Sequence, residues 1–221
     1  MTSDRLPPWT RRCSVCLVRH EHCVCAQVEP IDLPFRLTIV RHRGEVPSQS
    51  NTGGVLAKLL RPVDLLEHGW PGVRVDLAPL TEADTRYALL WPSPGAEPIT
   101  PALLEDDTPL RVVILDATWR KARRMTRRIE PLRTLPTFAL DHIPYELPRL
   151  RKPPREAQFS TAESVVATVD ALGLREEARQ LADTARLILN RRRQERGKIS
   201  RATMELENAA GLQRIELDED T

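Results

Sequence analysis

All four cysteines of the chain, Cys13, Cys16, Cys23 and Cys25, fall within thirteen residues, in the pattern C-x2-C-x6-C-x-C. In a reducing compartment, thiols this close in sequence suit four thiolates around one Zn²⁺ better than two disulfides, because zinc takes sulfur ligands tetrahedrally. His20 and His22 could each stand in for a cysteine. Four thiolates already close the site, however, and leave no position open for chemistry, so the metal is expected to be structural.

The second candidate centre is Leu115-Asp116-Ala117-Thr118-Trp119, where a strand gives way to a helix. A carboxylate there sits at the expected ligand crevice, the helix N-terminus offers donors, and the indole offers a flat face to a base or a cation. The same residues also have a plain reading in which Asp116 caps the helix and Trp119 fills the core. Sequence physics alone does not choose between them. Beyond Asp116, Arg120, Arg123, Arg124, Arg127 and Arg128 share one helix face while Ala122, Met125 and Ile129 share another. Arg149, Arg151, Lys152 and Arg155 occupy the Pro-rich stretch before Ser160. A single charge run is usually solvated surface, but two that flank one crevice point to phosphate contacts.

The elements that must position these groups follow from pattern. Phe35 to Val40 reads as a strand, and Asn51-Thr52-Gly53-Gly54 leads into a short helix, Val55 to Leu60, capped by Asn51. Arg86 to Trp91 is a second apolar run, stopped by Pro92-Ser93-Pro94-Gly95, and the β-branched run Arg111 to Leu115 is typical of a buried strand. A helix over Arg120 to Ile129 and a strand over Thr137 to Leu140 follow, and the prolines between Pro144 and Phe159 make that segment a loop. Ser160-Thr161-Ala162-Glu163 is a capping box opening a helix that ends at Gly173. Ala178, Leu181, Ala182, Ala185, Ile188 and Leu189 then give the next helix a continuous apolar stripe, and the tail turns acidic. Strands alternating with helices predict an α/β fold with a largely parallel sheet and ligands at the C-terminal strand ends. The expected division is a zinc knuckle over 1–30, a catalytic domain over 31–200, and a C-terminal helix with an acidic tail over 201–221.

Composition bounds the rest. With 221 residues, 41% hydrophobic and 29% charged, the chain excludes wholesale disorder. It has no apolar run of about 18 residues and no apolar segment near its start, so the expectation is a cytoplasmic protein without a membrane partner. Thirty-three basic against thirty-one acidic residues give a net charge of +2, which by itself predicts no polyanionic partner. Nothing in the sequence points to an obligatory protein partner.

Asp116-Ala117-Thr118-Trp119 resembles the D-x-T-W signature of the DTW-domain family, the tRNA-uridine aminocarboxypropyltransferases. Cys13, Cys16, Cys23 and Cys25 resemble that family's N-terminal four-cysteine motif. His42-Arg43-Gly44-Glu45 with Asn51-Thr52-Gly53 resembles its H-P-x-E and N-T-G segment, although Arg43 stands where proline is usual. Trp91-Pro92-Ser93 resembles its aromatic-Pro-Ser loop, and Leu150-Arg151-Lys152 with Phe159-Ser160-Thr161-Ala162-Glu163 resembles its L-R and S-T-x-E block.

The resemblance implies transfer of the 3-amino-3-carboxypropyl group of S-adenosylmethionine to N3 of a tRNA uridine, on a SPOUT-like fold with a C-terminal trefoil knot. A sulfonium activates all three attached carbons, so the enzyme must hold the aminocarboxypropyl chain, not the methyl, in line with N3. Uracil N3 carries a weakly acidic proton, and Asp116 is the expected acceptor. Pro92, Ser93, Thr118, Trp119, Ser160 and Thr161 are the expected contacts to S-adenosylmethionine, with Trp119 at the adenosine or the sulfonium and the helix opening at Ser160 and Thr161 receiving the methionine carboxylate. Arg120, Arg123, Arg124, Arg127, Arg151 and Lys152 are the expected tRNA contacts. His42 and Glu45 could orient substrate or form a salt bridge near a strand end. A SPOUT-type RNA methyltransferase and a non-catalytic zinc-knuckle RNA-binding protein are the alternatives.

Overall fold

The computed structural model describes residues 11–48, 50–150 and 159–218, with side chains to residue 209. Strand β1 (Ile31–His42) is followed by the short helix α1 (Gly53–Leu56) and strand β2 (Leu60–His68). Strands β3 (Arg86–Leu90), β4 (Glu97–Pro98) and β5 (Leu110–Asp116) come next, then helices α2 (Trp119–Arg128) and α3 (Glu130–Thr134) and strand β6 (Thr137–Ala139). Helices α4 (Thr161–Ala171), α5 (Arg175–Glu195) and α6 (Arg201–Asp218) complete the described chain. The six strands form one sheet in the order β2-β1-β5-β3-β6-β4, and every pairing is parallel.

Both faces of the sheet are covered, which is why β5 is apolar throughout its middle. Successive strand residues point to opposite faces. Val112 and Ile114 accordingly join the larger buried cluster with Val165 and Val169 of α4 and Leu181 and Ile188 of α5. Val113 faces the other way and packs with Met125 of α2, Leu132 of α3 and Val40 of β1. A three-layer α/β/α arrangement results, with the C-terminal ends of β5 and β3 opening between the layers.

The capping box is present as the sequence predicts: Ser160 Oγ accepts from Glu163 N (3.2 Å) and Glu163 Oε2 accepts from Ser160 N (2.7 Å). Helix α4 stops before Gly173, which takes a left-handed φ of +86°. All six apolar residues expected to face inward from α5 are buried.

Two local readings need correction. The helix expected over Val55 to Leu60 ends at Leu56, and Leu60 opens β2, a strand the sequence pattern missed. Edge position explains it: β2 borders only β1, is half-buried along most of its length, and carries Pro62 near its start, where a missing ladder donor is tolerated. Its sequence therefore has neither a continuous apolar run nor strict alternation. Thr52, not Asn51, occupies the N-cap of α1. The Asn51 side chain still accepts from the amide of Gly54 at 2.8 Å.

The cysteine segment packs on the main core. Cys13, Cys16, Val18 and Val24 belong to the same buried cluster as Leu37 and Ile39 of β1. It is tied down by Glu195 at the end of α5, whose carboxylate accepts from Arg12 Nη1 (2.7 Å) and from the backbone amide of Arg19 (2.8 Å). Lys58 Nζ donates to the carbonyl of Ser14 at 2.6 Å. Among the described residues no helix is long and apolar enough to cross a membrane.

Candidate functional site

Asp116 ends β5 and is 4% exposed. Its Oδ1 accepts from the hydroxyl of Thr161 at 2.8 Å and its Oδ2 from Asn51 Nδ2 at 2.9 Å. Three segments far apart in sequence therefore meet on one carboxylate: the loop before α1, the end of the central strand, and the first residue of α4. Gly53 makes the approach possible, because a Cβ there would stand 2.6 Å from Asp116 Oδ2.

Asn51 is held from every side. Its Nδ2 also donates to the carbonyl of Glu45 (3.0 Å), and its own carbonyl accepts from Arg192 Nη1 (2.7 Å). With two acceptors on Nδ2 and a donor on Oδ1, only one orientation of the carboxamide satisfies the network. Thr52 Oγ1 accepts from Ala162 N at 3.2 Å, a second tie between the loop and α4. Glu163, buried, accepts from Arg149 Nε at 3.0 Å while completing the capping box.

Burial pushes the Asp116 carboxyl above the usual carboxylate range; the hydrogen bonds from Thr161 and Asn51 oppose that shift, Glu45 adds to it, and Arg41 opposes it. Burial likewise pulls the Arg192 guanidinium down to about 10.

Above Asp116 lies a cavity of about 540 Å³, within the range of roughly 300–1,000 Å³ usual for small-molecule sites. Trp91 and Trp119 form one wall, ring centroids 5.6 Å apart and planes inclined by 38°. Pro92, Thr118, Ser160 and Thr161 also line it, and Phe159 and Arg149 stand at the side of α4. Of the expected S-adenosylmethionine contacts, Ser93 alone is absent from the lining; its hydroxyl is 2.7 Å from that of Thr137 and holds the loop after β3 against β6.

The opening of α4 is less available than the sequence suggests. The amides of Ser160, Ala162 and Glu163 all have acceptors inside the protein. That of Thr161 has none among the described residues, so it is the one left to meet a ligand.

Arg120, Arg123, Arg124 and Arg127 are exposed on α2, and among the described residues none of them is ion-paired. Arg151 and Lys152 lie outside the described residues. His42 and Glu45 part company: Glu45 lines the Asp116 cavity, whereas His42 lies in a second cavity beside α2.

The four cysteine sulfurs lie within 4.8 Å of one another. Cys13 and Cys25 are 3.7 Å apart, as are Cys16 and Cys23. Four sulfurs at tetrahedral zinc distances of about 2.3 Å stand about 3.8 Å from one another, so the donor set fits such an ion. The amide of Val15 points at Cys13 Sγ (3.4 Å) and that of Cys25 at Cys23 Sγ (3.5 Å), contacts that favour thiolates. The cluster can hold a metal ion such as zinc. His20 and His22 lie outside it, and His22 faces Glu195.

Sequence reasoning missed Arg192 and the pairing of the two tryptophans, and it named Gly53 in its motif without the close approach to Asp116 that requires a glycine there. Arg192 left a signal: Leu181, Ala185, Ile188 and Arg192 follow at three- and four-residue intervals, so the apolar stripe of α5 continues into a guanidinium. Such a residue is buried for a partner.

No solved structure matches the chain. A family model, the DTW domain, matches residues 10–193, from the cysteine cluster through Asp116 and its ring of partners to Arg192 and Arg193. The motifs that meet around one buried carboxylate are thus the motifs of one family, consistent with a tRNA-modifying function, and the chain belongs to the DTW-domain family.

Proposed function

We propose that this protein is an S-adenosylmethionine-dependent tRNA-uridine aminocarboxypropyltransferase. The observation that carries the reading is the buried Asp116 carboxylate on the floor of a nucleoside-sized cavity walled by two tryptophans, in a chain of the DTW-domain family. S-adenosylmethionine supplies a sulfonium-activated 3-amino-3-carboxypropyl group, and methylthioadenosine is the product that leaves.

The protein's own groups have separable tasks. Asp116 accepts the N3 proton of uridine as the new N3–carbon bond forms. Burial makes its ionised form a stronger base, while the donors from Thr161 and Asn51 keep that form accessible. Trp91 and Trp119 offer their faces to the adenine or the sulfonium, the latter worth about 0.5–2 kcal/mol. Pro92, Thr118, Ser160 and Thr161 bound the donor, with the Thr161 amide turned to the methionine carboxylate. Ser93 acts at one remove by fixing the Pro92 loop. The basic face of α2 holds tRNA phosphates. One Zn²⁺ on Cys13, Cys16, Cys23 and Cys25 keeps the knuckle folded and takes no part in transfer. The frame proposed is a SPOUT-like fold with a C-terminal knot, for which the all-parallel sheet supports the α/β part.

One observation favours a second reading for Asp116. Both its oxygens already accept hydrogen bonds, as expected of a tie that positions the loop before α1 against α4. The pH dependence of an Asp116 variant separates base from tie, as set out below.

The reaction itself is tested by incubating the purified protein with unmodified tRNA and S-adenosylmethionine and weighing the released nucleosides. The expected result is uridine carrying an aminocarboxypropyl group together with free methylthioadenosine. A methylated uridine, or no covalent product despite tRNA binding, overturns it in favour of the methyltransferase or the binding protein.

A further inference from the structure

A second cavity, of about 360 Å³, opens on the other side of α2; it shares Arg120 and Arg124 with the basic face assigned to tRNA above, and no step of the transfer uses it. Its lining includes His42 from the end of β1, His68 from the end of β2, and Arg120, Lys121, Arg124 and Arg128 from α2. No acid lines it. Parallel pairing sets the two imidazoles side by side, because His42 and His68 are register partners. Lys121 leans over the turn after β1, where a Cβ at Gly44 would collide with its ammonium.

The fold thus gathers six cationic or protonatable groups, none of which is in a salt bridge among the described residues. Among the described residues none of the four α2 cations is hydrogen-bonded or ion-paired; of the nearby acids, Glu45 acts on His42 from behind and the others are engaged outside the cavity. Glu45 is buried and lines the Asp116 cavity; Glu67 is held by Arg41 and the indole of Trp70. His42 Nδ1 accepts from the amide of Gly44 at 2.9 Å, which leaves Nε2 to carry the proton and puts it near Gly69. Burial holds both imidazoles below their ordinary range; at His42, Lys121, His68 and Arg43 deepen the shift and Glu45 opposes it. A concave cluster of like charge with no internal partner is poised to take an anion.

Trp70 makes the choice of anion. It is 40% exposed, one of the few large apolar side chains on the surface of the described residues, and it directly follows Gly69, which lines the cavity. An exposed indole beside a cationic pocket is the combination that binds single-stranded nucleic acid, by stacking on a base and holding the adjoining phosphate.

We infer that this cavity is a phosphodiester-binding pocket that seats the RNA backbone on one side of α2 while the target nucleotide enters the Asp116 cavity on the other, with Trp70 stacking on a flanking base. The inference rests on the proposed RNA substrate but not on the transfer chemistry.

The test follows the five histidine rings by NMR as a dinucleoside monophosphate is added to the full-length protein. Its phosphodiester keeps one charge across the range where imidazoles titrate. Expected are shifts of the His42 and His68 resonances, with His20, His22 and His142 unmoved, and a rise in the His68 pKa on binding. Anion binding then takes up protons, and affinity increases as pH falls through the imidazole range, the gain continuing below the ordinary value because both rings titrate low in the free protein. Lys121→Ala and His68→Gln should weaken binding of the dinucleotide and of tRNA several-fold or more while S-adenosylmethionine binding stays intact. Trp70→Ala should weaken binding of the dinucleotide but not of inorganic phosphate. Silent His42 and His68 rings overturn the proposal even if tRNA is modified. Phosphate binding that Trp70→Ala leaves alone, with no preference for the dinucleotide, marks the pocket as a site for another anion and overturns the RNA assignment. Failure of the transfer assay with these shifts present instead faults the chemistry and spares the pocket.

Discussion

The cysteine knuckle and the Asp116 crevice are built on opposite plans. The knuckle draws all its ligand atoms from thirteen consecutive residues, and its backbone amides turn toward its own sulfurs. The crevice draws one carboxamide, one carboxylate and one hydroxyl from positions 51, 116 and 161, and a guanidinium from position 192 holds the backbone carbonyl of the first of these residues. A metal site of this kind can form whenever its short segment closes. The crevice exists only when the whole sheet and both covering helices are in place, so its chemistry depends on the global fold.

That contrast can be broken most forcefully at the metal. Zinc binding contributes on the order of 10 kcal/mol to small fingers. Chelation or Cys16→Ser should therefore produce the largest loss, seen as missing metal by elemental analysis and a steep fall in melting temperature. Because Cys16 and Val18 sit in the main core, the loss should reach β1. Full folding and activity without metal would show the knuckle to be no part of the framework.

Arg192→Met keeps the volume of the stem but strips the carbonyl of Asn51 of its buried charged donor. A hydrogen bond to a charged group is worth about 1.5–3 kcal/mol, and an unmatched buried partner adds to the cost. Unfolding should show a destabilisation of that size, with turnover falling further than stability because Asn51 and hence Asp116 lose their setting. Equal small losses would mean that the lock on position 51 does not matter.

Thr161→Val is a smaller and more specific perturbation. It removes one of the two donors that oppose the burial-driven rise of the Asp116 pKa. The carboxylate is the active form of a base, so activity falls as pH falls through that pKa. With the donor gone the pKa rises further, and the acid limb of the pH–rate profile should move to higher pH. An unmoved limb would dissociate Thr161 from the titrating group.

How much of this was legible depended on locality in the same way. The knuckle, the capping box and the stripe of α5 are written in adjacent or helically spaced residues, and each appeared where the pattern put it. Strand β2 was hidden because an edge strand with Pro62 and one covered side has no apolar pattern to display. The carboxylate at the end of β5 was readable as a site from its strand-to-helix setting. That its partners are Asn51 and Thr161 was not, since hydrogen bonds across 65 and 45 residues leave no periodic trace. Ser93 was the reverse case: it belongs to a motif beside the cavity but turns away to Thr137.

The central claim is that the carboxylate of Asp116 takes the N3 proton, and the pH–rate profile of Asp116→Asn tests it most directly. The variant keeps the shape but loses the basicity. A positioned general base contributes about 10²–10⁴ in rate. Turnover at neutral pH should fall by that factor with both substrates still bound, and should recover in part as rising pH removes the uridine proton to solvent. Near-normal turnover at neutral pH, or a loss that no increase in pH relieves, would contradict the account and leave Asp116 as the tie between the loop before α1 and helix α4.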